Sequence, residues 1–230
     1  MKLNHFLIFF LFLSITSCNK ESNSPEFISK VSGRYLFNSD EVIKVYFKEN
    51  DMYLDWRGAE QIHPLKINKN TFFVKEMNEK IQFLTNPSDK QDYLVILPKE
   101  QNTPLNFIIK KIEENQKIPS EYLKNDKFEK ALSAYLLLKE KDSLDPAIAE
   151  KHLNSIGYKE LRDKNYTTAI NYFKVNVALN PKSANVYDSM GDALRKSGDT
   201  AQAIVNYKKS LELDSSNSRV KRKLQKLVKE

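Results

Sequence analysis

Leu153-Asn154-Ser155-Ile156-Gly157-Tyr158 and Tyr187-Asp188-Ser189-Met190-Gly191-Asp192 are one pattern written twice, at a shift that carries Gly157 onto Gly191. The shift continues downstream, where Ala169 pairs with Ala203 and Phe173 with Tyr207. Around these positions the apolar residues recur at helical spacing. A self-similar period of about 34 residues marks an array of supersecondary units, none of which buries its apolar face alone. The stretch therefore predicts a stack of paired helices.

With Asn180-Pro181 closing the first copy, these residues resemble the tetratricopeptide repeat. The resemblance covers residues 150–216 and has the signature Leu153, Gly157, Ala169, Phe173, Pro181, Tyr187, Gly191, Ala203 and Tyr207. It implies that the small residues let the two helices of a repeat approach closely, while the aromatic fills the gap between repeats. Glu160 stands where an aromatic or leucine is usual, Asn176 where alanine or serine is usual, and Asp214-Ser215 where a proline would close the second copy. Upstream, Phe128-Glu129-Lys130-Ala131-Leu132-Ser133-Ala134-Tyr135 looks like the second helix of a degenerate repeat, with Ala131 slightly more than one period before Ala169. About three units are needed for a continuous core, and this one completes the count. Asp145-Pro146 reads as an N-cap with proline at the first helical position, Ser183 as another cap, and Gly198 as a left-handed C-terminus. Val220, Leu224 and Leu227 give the last helix one apolar stripe, so it caps the stack. A tetratricopeptide-like domain is expected over residues 119–230.

The resemblance also implies a groove. Asn154, Tyr158 and Arg162 on one first helix are expected to face Asp188, Asp192 and Arg195 on the next, lining a concave face that receives an extended or helical peptide. The competing reading is a merely solvated surface. The carboxylate clamp of chaperone-tail binders is not matched, because Tyr158 and Asp192 sit where it needs asparagine. Leu153–Tyr158 and 185–192 are also similar to the carboxy-terminal repeat region of many secreted Bacteroidetes proteins, several of which carry a hydrolase domain ahead of it. No such domain is read here.

Residues 27–118 change period to two. Strands are expected at 31–37, 42–48, 52–56, 61–67, 71–75, 81–84, 93–97 and 105–112, with turn residues roughly every 10 positions, the pattern of an antiparallel barrel or sandwich. Sequential hairpins favour a meander. Gly33-x-Tyr35, Leu65, Phe72-Phe73-Val74 and Ile81-x-Phe83 resemble the small β domain that follows the catalytic domain of penicillin-recognising serine hydrolases. The fold class expected is α+β, an antiparallel β domain followed by an all-α repeat domain. His63 reads as structural or exposed, and Tyr53 and Trp56 as core or rim aromatics.

At the amino terminus, Lys2 precedes the apolar run Phe6–Leu13, too short for a spanning helix of about 20 residues but suited to a signal peptide. Ile15-Thr16-Ser17-Cys18 resembles a lipobox. The resemblance implies removal of residues 1–17, diacylglycerol on Cys18 and a cell-envelope location. Residues 18–26 read as a flexible tether, in which Lys20-Glu21 resembles a surface-export signal of Bacteroidetes lipoproteins.

The formal charge is +7, and residues 216–230 alone carry six cations against Glu230. That block reads as the solvated face of the last helix, or as attraction to anionic headgroups or an acidic partner. One cysteine excludes an internal disulfide and thiolate metal clusters. No G-x-S-x-G, P-loop, dinucleotide fingerprint, H-E-x-x-H or EF-hand loop is present. S-x-x-K occurs at 17–20 and 218–221 without a matching K-T-G, so no catalytic residue, metal or cofactor is expected. Nucleic acid is not an expected partner, because the basic helix lacks interleaved aromatics. The expectation is a membrane-anchored protein-binding or scaffold lipoprotein. The alternatives are an accessory subunit or detached region of a secreted serine hydrolase, and a β barrel holding a small apolar ligand. Cys18→Ala should move the protein from the membrane pellet to the soluble fraction; retention in the pellet after high-salt washing would contradict the lipid anchor.

Overall fold

A computed structural model describes residues 22–100 and 102–229. The signal, Cys18 and Lys20-Glu21 lie outside them. Among the described residues no helix is long and apolar enough to cross a membrane.

The described residues open with a helix that runs from the end of the expected tether to the start of the first expected strand. Helix α1 spans Pro25–Val31, capped by the Ser24 hydroxyl, which accepts from the Phe27 amide. Proline at the first helical position suits this start, because its missing N–H would have no helical partner. Nine strands follow: β1 (Gly33–Asn38), β2 (Glu41–Lys48), β3 (Asp51–Trp56), β4 (Ala59–Ile62), β5 (Leu65–Lys66), β6 (Thr71–Val74), β7 (Glu79–Thr85), β8 (Asp92–Ile96) and β9 (Ile109–Ile112). All pairings are antiparallel, in one sheet of order β4-β3-β2-β1-β9-β8-β7-β6-β5. Two hairpin turns have both central residues left-handed, Glu49-Asn50 and Arg57-Gly58, the geometry that matches strand twist.

A single sheet replaces the sandwich alternative. The strand expected over 61–67 is split at His63-Pro64, and its two pieces are the opposite edges of the sheet. Two linking residues span at most about 11 Å, so the sheet must curl until its edges meet there. The result is a half-barrel whose edges approach at His63-Pro64, where proline has no N–H to donate to a ladder. The expected 105–112 strand shortens to Ile109–Ile112, and Leu105 and Ile108 stay exposed.

Inward positions of these strands, among them Tyr35, Ile43, Leu54, Phe72, Ile81 and Leu94, form one core with Val31. Helix α1 lowers Phe27 into it, stacked on Phe72 at 5.9 Å and edge-on to Phe47 and Phe83. The inward face is thus occupied by the protein's own aliphatic and aromatic side chains, which does not favour the alternative of a small apolar ligand. Tyr53 stacks on His63 at 5.0 Å and Trp56 packs on Phe37 at 5.0 Å, which makes them rim aromatics.

The second half holds α2 (Pro119–Lys124), α3 (Phe128–Lys141), α4 (Glu150–Arg162), α5 (Tyr166–Leu179), α6 (Ala184–Ser197), α7 (Thr200–Leu213) and α8 (Ser218–Lys229). Asp145 caps only a short 3-10 turn, Pro146–Ile148, before α4. Ser183 sits at the α6 cap position but makes no side-chain cap bond, and Gly198 ends α6 at φ 95°. Leu123, Ala131, Tyr135, Leu153, Tyr172 and Leu179 form one helical core, and a second runs from Leu161 through Tyr207 to Val220 and Leu227. The leading helix of the degenerate unit, α2, is only six residues long.

The two halves are joined by a polar junction. Ile118 at the α2 cap position has no side-chain oxygen to offer, and Asp40, from the β1–β2 turn, accepts the Ser120 amide at 2.6 Å in its place. The Tyr135 hydroxyl donates to the other Asp40 oxygen, and the neighbouring Ser39 hydroxyl donates to Asp145. From β1, Arg34 pairs with Glu121 at 2.6 Å and donates to the carbonyls of Glu114 and Gln116. The polar linker 113–117 is exposed, yet its carbonyls are held. Breaking a largely buried charge pair typically costs about 3–5 kcal/mol. Trypsin should therefore spare Lys117 in the intact protein and cut there rapidly in Arg34→Ala. Equal cleavage of both would mean that the Arg34 bonds do not restrain the linker.

Candidate functional site

The site is built on two helix pairs, α4/α5 and α6/α7, that repeat one contact. A methyl group on Gly157 would lie 2.7 Å from the Phe173 ring, and one on Gly191 would lie 2.6 Å from the Tyr207 ring. In both copies the aromatic of the second helix lies directly on the glycine of the first. Ala169 and Ala203 are fully buried beside them. Asn176, unusual for its position, is also fully buried and donates to the Glu150 carbonyl at 3.0 Å. Ser210, its counterpart one period later, is buried too and donates to the Ala184 carbonyl at 2.8 Å. Both side chains tie the second helix of a pair to the start of the first, so the asparagine performs the serine's task.

The signature is not uniform. Leu153 is buried, whereas Tyr187 is half-exposed and turns its hydroxyl to the Pro181 carbonyl at 3.2 Å. Tyr135 occupies the ring position of the first unit, but its hydroxyl leaves the stack for Asp40.

Of the six groove residues, three meet. The Tyr158 hydroxyl bridges α4 to α6, lying 3.0 Å from Asp192 and 3.2 Å from Ser189. Asp192 also accepts from Tyr207 at 2.7 Å. Helix α8 completes the set: Lys223 reaches Asp188 and Asp192, each at 2.7 Å, and Arg219 reaches Asp188 at 2.7 Å. The Asp188 side chain is only 1% exposed. The second half of the expected groove is thus filled by α8 and is closed to a partner in this arrangement. Of the basic block, read from sequence as a solvated face, Lys223 is largely covered and Arg219 pairs with Asp188 while its own side chain stays mostly exposed. Arg162 and Arg195 stay exposed.

Burial works to raise the Asp192 carboxyl, but hydrogen bonds from Lys223, Tyr207 and Tyr158 outweigh it and hold the carboxyl below its ordinary range. Burial pushes the Tyr158 hydroxyl well above its ordinary value, so it serves as a neutral hydrogen-bonding group.

Sequence reasoning missed Arg219 and Lys223, although a signal was present. One more step of the repeat period places Lys223 below Ser155 and Ser189, and Arg219 below Lys151 and Asn185. Helix α8 therefore lies where the first helix of a next repeat would, with Val220 and Leu227 buried.

The open part of the concave face belongs to α4. Lys151, Ser155 and Arg162 are exposed along one helical stripe, with Asn154 and Tyr158 beside them. The Asn154 amide oxygen is shielded from solvent and has no hydrogen-bond partner. No group of three or more potential metal ligands occurs among the described residues.

No family profile matches the chain. No curated protein matches it either. Solved structures with local similarity are tetratricopeptide domains. The first such domain of human RPAP3 is 22% identical over 48% of this chain and 84% of its own, with a TM-score of 0.35. A first repeat domain of RPAP3 solved with an HSP90 peptide is 22% identical over 48% and 85%, with a TM-score of 0.35. A variant of MamA is 19% identical over 48% and 78%, with a TM-score of 0.39. The helical half of this chain is tetratricopeptide-like by its own glycine-on-ring geometry.

Gly157→Ala should force the Phe173 ring aside and lower the stability of the helical half by about 1–3 kcal/mol, the usual cost of overpacking. Phe173→Leu in the same chain should recover part of that loss. Thermal melts followed at 222 nm would show it; an unchanged midpoint in Gly157→Ala would remove the close contact from the account.

Proposed function

We propose that the protein is an envelope lipoprotein whose repeats hold a protein partner on the open α4 side of the concave face. The observation that carries this reading is the contrast between the two halves of that face. On α6 every named acid is satisfied internally. On α4, Lys151, Ser155 and Arg162 stand exposed along one stripe.

The lipid anchor on Cys18 and the envelope location rest on the lipobox-like sequence. The β half then stands between anchor and repeats, and its filled interior leaves it the role of a rigid spacer. The alternative of a serine hydrolase's accessory subunit fits the same binding face.

A photoreactive benzoyl-phenylalanine at Ser155 should crosslink to a partner in intact envelopes. The same group at Val205, exposed on α7, should not. Crosslinks from position 205 and none from 155 would overturn the assignment of the face.

A further inference from the structure

Asp40 is the one acidic side chain among the buried residues of the sheet half. It is 6% exposed, and among the described residues no ion pair includes it. Both of its oxygens go to the helical half: one accepts the Ser120 amide at the start of α2, the other the Tyr135 hydroxyl from α3. Its own carbonyl accepts from the Ser120 hydroxyl at 3.4 Å. The groups around it are few. From α2, Lys124 acts on it as a charge, while Glu121 is paired with Arg34. From α5, the buried Tyr172 lies near Tyr135 and Ser120. From the 3-10 turn, Asp145 is held by Ser39.

We propose that protonation of Asp40 latches the sheet to the repeat stack, so that the junction tightens in acid and slackens as pH rises towards neutral. A buried carboxylate with no cation partner is costly, and a proton removes the charge without removing the side chain. The network can take that proton. When the Asp40 oxygen facing Tyr135 becomes O–H, that bond reverses, with the carboxyl donating and the Tyr135 oxygen accepting. The Ser120 amide keeps its acceptor throughout.

Burial raises the Asp40 carboxyl from 3.8 to about 6, against the hydrogen bonds from Tyr135 and Ser120 and the charge of Lys124. The docked junction therefore binds a proton more tightly than the undocked one. Extra tightness is complete below the undocked value near 3.8 and is lost as pH rises through about 6. With those two values the docking constant should be about tenfold larger at pH 5 than at pH 7.

The test uses the whole mature chain and two signals. Trp56, the sole tryptophan, reports the sheet by fluorescence, and ellipticity at 222 nm reports the helices. Urea unfolding at pH 5 should give coincident transitions, and at pH 7.5 the two should separate. Asp40→Asn, which stays neutral, should keep them together at both values. A wild-type separation that ignores pH, or an Asp40→Asn protein with the wild-type pH response, would overturn the latch. Hydrogen exchange of the wild-type Ser120 amide provides a check that needs no variant. Its protection, corrected for intrinsic exchange, should be about tenfold greater at pH 5 than at pH 7. Equal protection would overturn the latch as well.

Discussion

A stack of two helix pairs exposes an apolar flank at each end, and that constraint shapes both ends of this protein. At the C-terminal end, α8 covers α7 with Val220 and Leu227 and reaches α6 with Arg219 and Lys223. At the other end the degenerate unit α2/α3 covers α5 through Leu123, Ala131 and Tyr135, joined by Tyr172 and Leu179. That unit is itself incomplete, because α2 is a short helix whose cap residue is Ile118. The β1–β2 turn completes it by lending Asp40 as the cap. The sheet is therefore coupled to the solenoid at its weakest element.

The character of that coupling matters. The sheet's core and the helical cores are separate clusters, so no shared apolar layer welds the halves. What crosses the junction is directional: Arg34 to the linker carbonyls and Glu121, Ser39 to Asp145, Asp40 to Ser120 and Tyr135. Hydrogen bonds fix orientation more than they add stability, each contributing about 0.5–1.5 kcal/mol net. A junction of this kind holds a defined angle between the halves and responds to the charge on its members, where an apolar weld would do neither.

Much of this was legible in the sequence where local pattern carries the information. The repeat period located both helix pairs because the glycine, alanine and aromatic must recur wherever the same contact recurs. Alternation found most strands because one face of each is buried. What escaped was set by distant partners. Pro25–Val31 is too short for periodicity to reveal, and its place is decided by Phe27 meeting Phe47, Phe72 and Phe83. The split at Pro64 depends on which strands become edges. Asp40, in Asn38-Ser39-Asp40, reads as an ordinary turn acid, since its partners lie 80 and 95 residues away. The cations of α8 read as solvated because nothing local says that Asp188 lies opposite.

That opposition bears on where a partner can bind. A ligand seeking Asp188 and Asp192 must first displace α8. Once α8 has left, solvent would hydrate the two carboxylates, so the ion pairs alone do not hold it in place. The apolar contacts do. Exposing Val220 and Leu227, each nearly or fully buried, costs about 1.5–3 kcal/mol per side chain before the flank of α7 is counted. A penalty of roughly 3–6 kcal/mol would weaken an invading ligand by about two to four orders of magnitude. Helix α4 imposes no such penalty, because Lys151, Ser155 and Arg162 are exposed from the outset. On the proposed reading, the same helix that closes the acidic half of the expected groove would direct a partner to the half built on α4.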